Sequence, residues 1–437
     1  MQKSNWFSLI PVSLRHDTVP NFGVKSSATI SRTGDYALKT WFKVSIPKIM
    51  LTPDPAIFAG ATVRWTRFLG HNLINKLTLT HNELVTQEFT SEWLDFNYHF
   101  NIDVGKRMGY RIMVGDIPEY TNAQPVGMPV GNNDVLSLPL PLWFAEDSGR
   151  ALPIAALPYC ETKINYDFRN WTELVVVYPG VSGVSGTRIA TVNDVCIYGQ
   201  PTVKPYMVTP ETYALYAMVH NDEREMMGQG NRDILMHQIQ MTQSAQLKGV
   251  DANQLQSFDI RFSNPIVALF FAVKNVSINT TSSASGAEHS NYTTENNYTG
   301  AEPLKSAQLL YENNIRLDME TYYFRHMVPF NSFDEGKGAA EMNGVYVMNY
   351  ALDPFAKNPC GSTNYNKLTN VSLQFKMSDE ARNAAAAAPI NKNGLPIQWP
   401  DQTGTLAPMP QTGQSIIIGK NHQLGRVGSG TFGFPTL

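Results

Sequence analysis

Apolar and polar residues alternate with period two over much of the chain. From Tyr36 to Ile46 the set Tyr36, Leu38, Phe42, Val44 and Ile46 alternates with Lys39, Lys43 and Ser45, while Trp41 stands on the otherwise polar face. Ile164, Tyr166 and Phe168 alternate with Lys163, Asn165, Asp167 and Arg169; Phe258, Ile260 and Phe262 with Asp259 and Arg261; Val371, Leu373, Phe375 and Met377 with Ser372, Gln374 and Lys376. Successive side chains on a strand point to opposite faces, so each run predicts a strand with one core face and one wet or contact face. Antiparallel sheets produce this signature, whereas parallel sheets read as continuous apolar runs. Helical pattern is scarce. It is confined to Tyr213 to Met227, with a short helix around Asn221–Glu225, and to an Ala-rich turn, Ala384 to Ala388, capped at Ser378-Asp379-Glu380 and stopped by Pro389. Thr33-Gly34-Asp35 reads as a turn between strands. The fold class is all-β.

Three stretches rich in Pro, Gly, Asn, Ser or Thr read as long surface loops: Gly115 to Asn133, Ile278 to Pro303 and Asn391 to Gln414. The charge-dense stretch His220 to Arg232 separates two strand-rich halves. It divides the chain into an N-terminal segment (1–20), a first unit (21–220), a linker (221–231) and a second unit (232–437). No sequence repeat relates the halves.

Composition narrows the function. The 437 residues carry 34 basic and 37 acidic side chains, a net charge of −3, which argues against nucleic acid as the main ligand. With 43% hydrophobic and 11% aromatic residues the chain has material for a large core and is not globally disordered. Only 16% of residues are charged, so the surface is poorly protected against self-association, an asset for a protein that assembles. Met1 to Arg15 does not form a signal peptide, Met1-Gln2 excludes N-myristoylation, and the longest apolar run, Ile266 to Val273, is strand length. Cys160, Cys196 and Cys360 are too few and too scattered for a disulfide framework, and predict reduced, mostly buried thiols in a cytosolic compartment.

No constellation of catalytic, metal-ligating or cofactor-binding residues emerges. Gly428 to Gly433 matches G-x-G-x-x-G, but the chain ends at Leu437, leaving no room for the helix and acidic residue of a dinucleotide site; it reads as a flexible strand end. The nine histidines form neither H-x-H nor H-x-x-x-H. Glu146-Asp147 are neighbours whose side chains diverge on a strand, so they read as a solvated turn pair and not as paired carboxylates. Gly180 to Gly186 (GVSGVSG) reads as a flexible hairpin tip and not a nucleophile elbow. Of the N-x-S/T sequons at Asn170, Asn275, Asn279, Asn291, Asn297 and Asn370, those at Asn279, Asn291 and Asn297 fall in the polar tract. They are the candidates for surface glycosylation.

From Ser137 to Trp171 the chain reads SLPLPLWFAEDSGRALPIAALPYCETKINYDFRNW. This resembles the major capsid proteins of the nucleocytoplasmic large DNA viruses, in which an LPLPFFF-type strand and a DSG-like turn lead through ALP-x-x-x-LPY into a strand. NFGVKSSATISRTGDYALKTWFKVSIP (Asn21 to Pro47), KSAQLLYENNIRL (Lys305 to Leu317), YALDP (Tyr350 to Pro354) and CGSTNYNKLTNVSL (Cys360 to Leu373) extend the resemblance over most of the chain, with Cys360 and Lys367 as departures from the family's pattern. It is strongest to the iridovirus, ascovirus and marseillevirus branch.

The resemblance implies a double jelly roll, two eight-stranded sandwiches in one chain with long surface loops. It implies a non-enzymatic subunit that forms homotrimers and tiles an icosahedral shell of the virion as pseudo-hexagonal capsomers, assembled in the host cell, in the cytoplasm. Minor capsid and penton proteins and an internal viral membrane are the implied partners, without direct nucleic acid binding. Ile278 to Pro303 becomes the expected outward tower loop, with Gly115 to Asn133 as a second candidate. The alternative is a carbohydrate-binding or adhesive β-sandwich of a virion surface, with Trp41 and Trp171 stacking on sugars. A jelly-roll enzyme has no supporting constellation.

Overall fold

The computed structural model describes residues 6–53, 60–181, 189–247, 255–280, 288–296, 298–334, 336–401 and 403–435, without the side chains of residues 279 and 280. Sixteen strands carry the architecture. In the first lobe they are β1 (Phe7–His16), β2 (Lys25–Thr29), β3 (Tyr36–Ser45), β4 (Ile74–His81), β5 (Leu84–Thr90), β6 (Val135–Pro139), β7 (Thr162–Phe168) and β8 (Val208–Val219). In the second they are β9 (Arg232–Met241), β10 (Gln256–Ile260), β11 (Pro265–Asn275), β12 (Leu304–Tyr311), β13 (Asn314–Glu320), β14 (Val345–Asn349), β15 (Val371–Met377) and β16 (Gly413–Gly428).

All ladders are antiparallel. The first lobe pairs in the orders β1-β8-β3-β6 and β2-β7-β4-β5, with the two sheets joined where the end of β1 meets β2 at Arg15 and His16. The second lobe repeats both orders, shifted by eight: β9-β16-β11-β14 and β10-β15-β12-β13. Each lobe is therefore a jelly roll, and the chain is a double jelly roll. The repeat is topological, since the two halves share no visible sequence period.

The strand order also sorts the connections. Those leaving odd-numbered strands (17–24, 46–73, 91–134 and 169–207; 242–255, 276–303, 321–344 and 378–412) emerge at one end of the sandwiches, and all the long ones except two are there. The opposite end carries the remaining connections, the start of β1, the end of β16 and the linker helix between the lobes, Asn221–Gly228.

Helix occurs where the residue pattern shows little sign of it. Residues 91–134 open with α1 (Ser91–Asn101) and α2 (Val104–Val114). In α1, nine of eleven side chains are buried, so it presents no polar face and no amphipathic period to read. The helix at Asn221–Gly228 lies in the expected window, whose first part, Tyr213–Val219, is instead the end of β8. The helix α3 (Asp379–Ala385) agrees with the sequence reading, and the Ser378 hydroxyl accepts from the Ala381 N–H as expected of a cap. The stretch 115–133 is pinned at Tyr120, which is fully buried, and residues 391–414 contain a two-stranded ribbon, Gln398–Pro400 with Leu406–Pro408. All three thiols are free; Cys160 and Cys196 are buried and Cys360 is half-buried. No described helix is long and apolar enough to cross a membrane.

Candidate assembly surfaces

The seam between the lobes explains the apolar run at Ile266 to Val273. In β11 the odd positions Leu269, Phe271 and Val273 enter the second lobe's own core, whereas Ala268, Phe270 and Ala272 join a cluster continuous with the first lobe. Val345 and Val347 of β14, and Ile416 and Ile418 of β16, point the same way as Phe270. What covers this outer face is α1: Trp93, Phe96 and Phe100 all pack on the Phe270 ring, at centroid distances of 5.4, 5.9 and 5.7 Å. A strand buried on both faces loses its alternation, which is why it reads as one apolar block.

Two ion clusters lock the seam. Lys274 lies 2.6 Å from Glu92, both side chains being largely buried. Burial alone would raise the pKa of Glu92, but Lys274 and Arg169 outweigh it and hold the carboxyl far below its usual range. The second cluster centres on Glu146. Its carboxylate meets Arg150 at 2.7 Å and, across the seam, His237 Nδ1 at 2.6 Å and Lys420 Nζ at 3.4 Å. Lys420 and His237 outweigh the cost of burial and lower Glu146 to about 2. Burial, then Lys420, lowers His237 to about 4, so at neutral pH its ring is uncharged and Nδ1–H donates to Glu146. Asp147 reaches Lys357 of the second lobe at 3.1 Å. The pair does sit on a turn that solvent reaches, Glu146 being exposed and Asp147 half-buried, but the turn is also a contact across the seam. Both carboxylates bind partners far away in sequence, which local pattern does not reveal.

The polar tract 278–303 is corrected in the same way. Its expected exposure fails for residues 288–295, all of which are buried. Asn291, a candidate glycosylation site, is 1% exposed: its amide donates to the Glu295 carbonyl at 2.7 Å and accepts from the Thr293 N–H at 3.0 Å. The segment is a strap laid onto the first lobe. Asn72 donates to Ser290 at 2.8 Å, Tyr292 donates to Asp95 at 2.8 Å, and Glu288 pairs with Arg64. Polar residues that satisfy one another can be buried, so composition alone misplaces this tract. The Asn279 side chain and Asn297 lie outside the described residues, as do 182–186 of the expected hairpin tip.

The G-x-G-x-x-G stretch is a hairpin, not a loose tail. Thr431–Gly433 folds back on β16, and Phe432 stacks on His81 of the first lobe at 4.3 Å. Among the described residues no group of three or more His, Cys, Asp or Glu is placed to hold a metal ion.

The first lobe has a counterpart to the covered face, and it is open. On the outer side of β1-β8-β3-β6, Phe7 and Leu9 are exposed, and Trp41 stacks on Tyr213 at 5.5 Å beside the half-exposed pair Lys43–Glu211. A groove of about 830 Å³ runs along the foot of this face, lined by Phe7, Leu9, Leu38 and Leu215 with Ile234 and Lys357 of the second lobe. The second lobe has a counterpart to the covering edge. After β13 the chain makes a π turn, Tyr323–Met327, and a helix, Val328–Ser332. Pro329 lacks the N–H that would continue an α ladder, and the Val328 N–H instead reaches back to Tyr323. This edge exposes Tyr322, Met327 and, at 83%, Phe330. Trp171, the other aromatic expected at a sugar, lies half-buried under the Lys204 ammonium.

Comparison with known proteins follows the same division. The family described as "Major capsid protein N-terminus" matches residues 1–218, and that described as "Large eukaryotic DNA virus major capsid protein" matches 223–398. The chain is similar to the major capsid proteins of Costelytra zealandica iridescent virus (37% identity, spanning 100% of this chain and 92% of the relative) and Invertebrate iridescent virus 6 (35%, 100% and 92%). That of Rana tigrina ranavirus is 31% identical over 99% of this chain and 90% of the relative. Among solved structures, the fold matches the capsid of PBCV-1 (TM-score 0.69, 20% identity, 100% of this chain and 98% of that chain) and the Faustovirus major capsid protein (0.68, 12%, 97% and 91%).

Proposed function

The chain belongs to the large eukaryotic DNA virus major capsid proteins, structural components of the virion and not enzymes, and from that premise we propose that three copies close into a ring that is the building unit of the shell. The observation that carries this reading is the mismatch between the lobes. One outer face is covered by α1 of the same chain, while the equivalent face of the first lobe and the equivalent edge of the second are both uncovered. Face and edge differ, so their contact is heterologous, and such a contact ends only when the ring closes. Three chains of two similar lobes give six near-equivalent sides, an outline that tiles a hexagonal lattice. The long-connection end then faces outward. The opposite end faces the interior, where minor capsid and penton proteins and an internal membrane are its partners, and the genome is not contacted directly.

Sedimentation velocity on the purified full-length protein tests the unit. The expected species has three times the 48.7 kDa chain mass. A protein that remains monomeric at high concentration overturns the proposal.

A further inference from the structure

Trp41 is the residue that the strand pattern leaves unexplained, a large aromatic on the polar face of β3. Its place has a counterpart. Trp41 is the sixth residue of Tyr36–Ser45, and Phe270 is the sixth residue of Pro265–Asn275, the equivalent strand of the second lobe. Both point away from their own sandwich core. Phe270 is covered by Trp93, Phe96 and Phe100, the third, sixth and tenth residues after β5 ends at Thr90. Counting likewise from the end of β13 at Glu320 gives Tyr323, His326 and Phe330. The inward positions agree in part. Leu94 and Tyr98, fourth and eighth in the first lobe, are buried; in the second, Phe324 enters the lobe's own core, whereas Val328 joins the seam cluster and Tyr323 is half-buried against both. Phe330 lies on the exposed side of that turn with no partner for its ring among the described residues, although its counterpart Phe100 is fully buried.

We infer that Trp41 of one copy is the hub on which Tyr323, His326 and Phe330 of the next copy close, repeating between chains the contact that Phe270 makes within one. The inference rests on the ring reading above and fixes its register. It also accounts for the composition of the hub: a Trp–Tyr stack with a charged pair at its rim tolerates water before assembly and gives up little when it becomes dry. A sugar platform would need the same ring to remain accessible in the assembled ring of three.

The test is association of the full chain by sedimentation velocity, with Phe330→Asp, Trp41→Asp, the double variant and Leu352→Asp as a control. Leu352 is 80% exposed and belongs to the connection that leaves β14 at the other end of the sandwich from the turn that carries Phe330. Phe330→Asp changes a ring that packs on nothing in the monomer, so its thermal melt stays at the wild-type value. Each single variant is expected to raise the protein concentration needed for half-association at least tenfold. The double variant should cost no more than the worse single one, because both remove one contact. The control should associate as the wild type does. If Phe330→Asp associates normally, if the two effects add, or if Leu352→Asp weakens association equally, the register is wrong while the ring stands. A wild-type protein that never leaves the monomer overturns both.

Discussion

The outer faces of the two equivalent sheets differ in what they are made of. The second lobe's face is aliphatic around the single ring of Phe270, and α1 keeps it permanently dry. The first lobe's face mixes Leu9, Leu38 and Leu215 with Trp41, Tyr213 and the Lys43–Glu211 pair, and it meets solvent in the monomer. The same strand order therefore accepts two chemistries. What selects between them is whether the cover belongs to the same chain or has to arrive from another. A face covered within the chain never needs solubility, whereas one covered later must be compatible with water first.

The comparison can be broken most severely at its centre. Phe270→Asp places a charge between two cores and is expected to destabilise the fold by about 5 kcal/mol or more, giving little soluble protein, whereas Trp41→Asp at the equivalent position costs the monomer about 1 kcal/mol. Chemical denaturation of the two variants measures the gap; equal losses would mean that the faces are not distinct.

Next is the seam's buried pair. Glu92→Gln leaves Lys274 uncompensated and is expected to cost about 3–5 kcal/mol, against less than about 1 kcal/mol for Glu211→Gln on the open face.

Acid should act first through the buried histidines, His237 at the seam among them. His237 is neutral when folded, with its pKa lowered to about 4, but takes up a proton near pH 6.5 when unfolded. Its stabilisation is complete above pH 6.5 and is lost as the pH falls from there toward about 4, on the order of 3 kcal/mol in all. Glu146, lowered to about 2, adds a further loss below about pH 4.5. Melting temperature as a function of pH should show a decline beginning below 6.5, to which the buried His81 and His99, both lowered to about 3, also contribute, and His237→Gln should make the portion between 6.5 and 4 less steep.

The smallest effect compares the short helix that follows β7, Trp171–Leu174, with α3 after β15. Ser378→Ala removes a 3.1 Å cap bond and is expected to cost about 1 kcal/mol, while Asn170→Ala removes one of 3.5 Å and costs less.

Much of this molecule was legible along the chain. Strands with one wet face, such as β3, β7 and β15, declare themselves because alternation is a local property. What escaped notice is whatever depends on distant partners. α1 is buried nearly all round and so has no period, and the strap at residues 288–295 is polar yet dry because its amides and hydroxyls bond one another and the first lobe. Glu146 resembles any turn carboxylate until β9 and β16 bring His237 and Lys420 to it, 91 residues and more than 270 residues away. The pairing of Trp41 with Phe270 was invisible for another reason: equivalence of strand order leaves no trace in residue identity.

The strand β11, held between two cores, bears on how the chain is made. The N-terminal lobe leaves the ribosome before β11 is synthesised, so the surface that shelters Phe270 is already in place when that residue emerges. A circular permutant translated with the lobes in reverse order would present this greasy wall to the cytosol unprotected, and should need chaperones where the natural order does not.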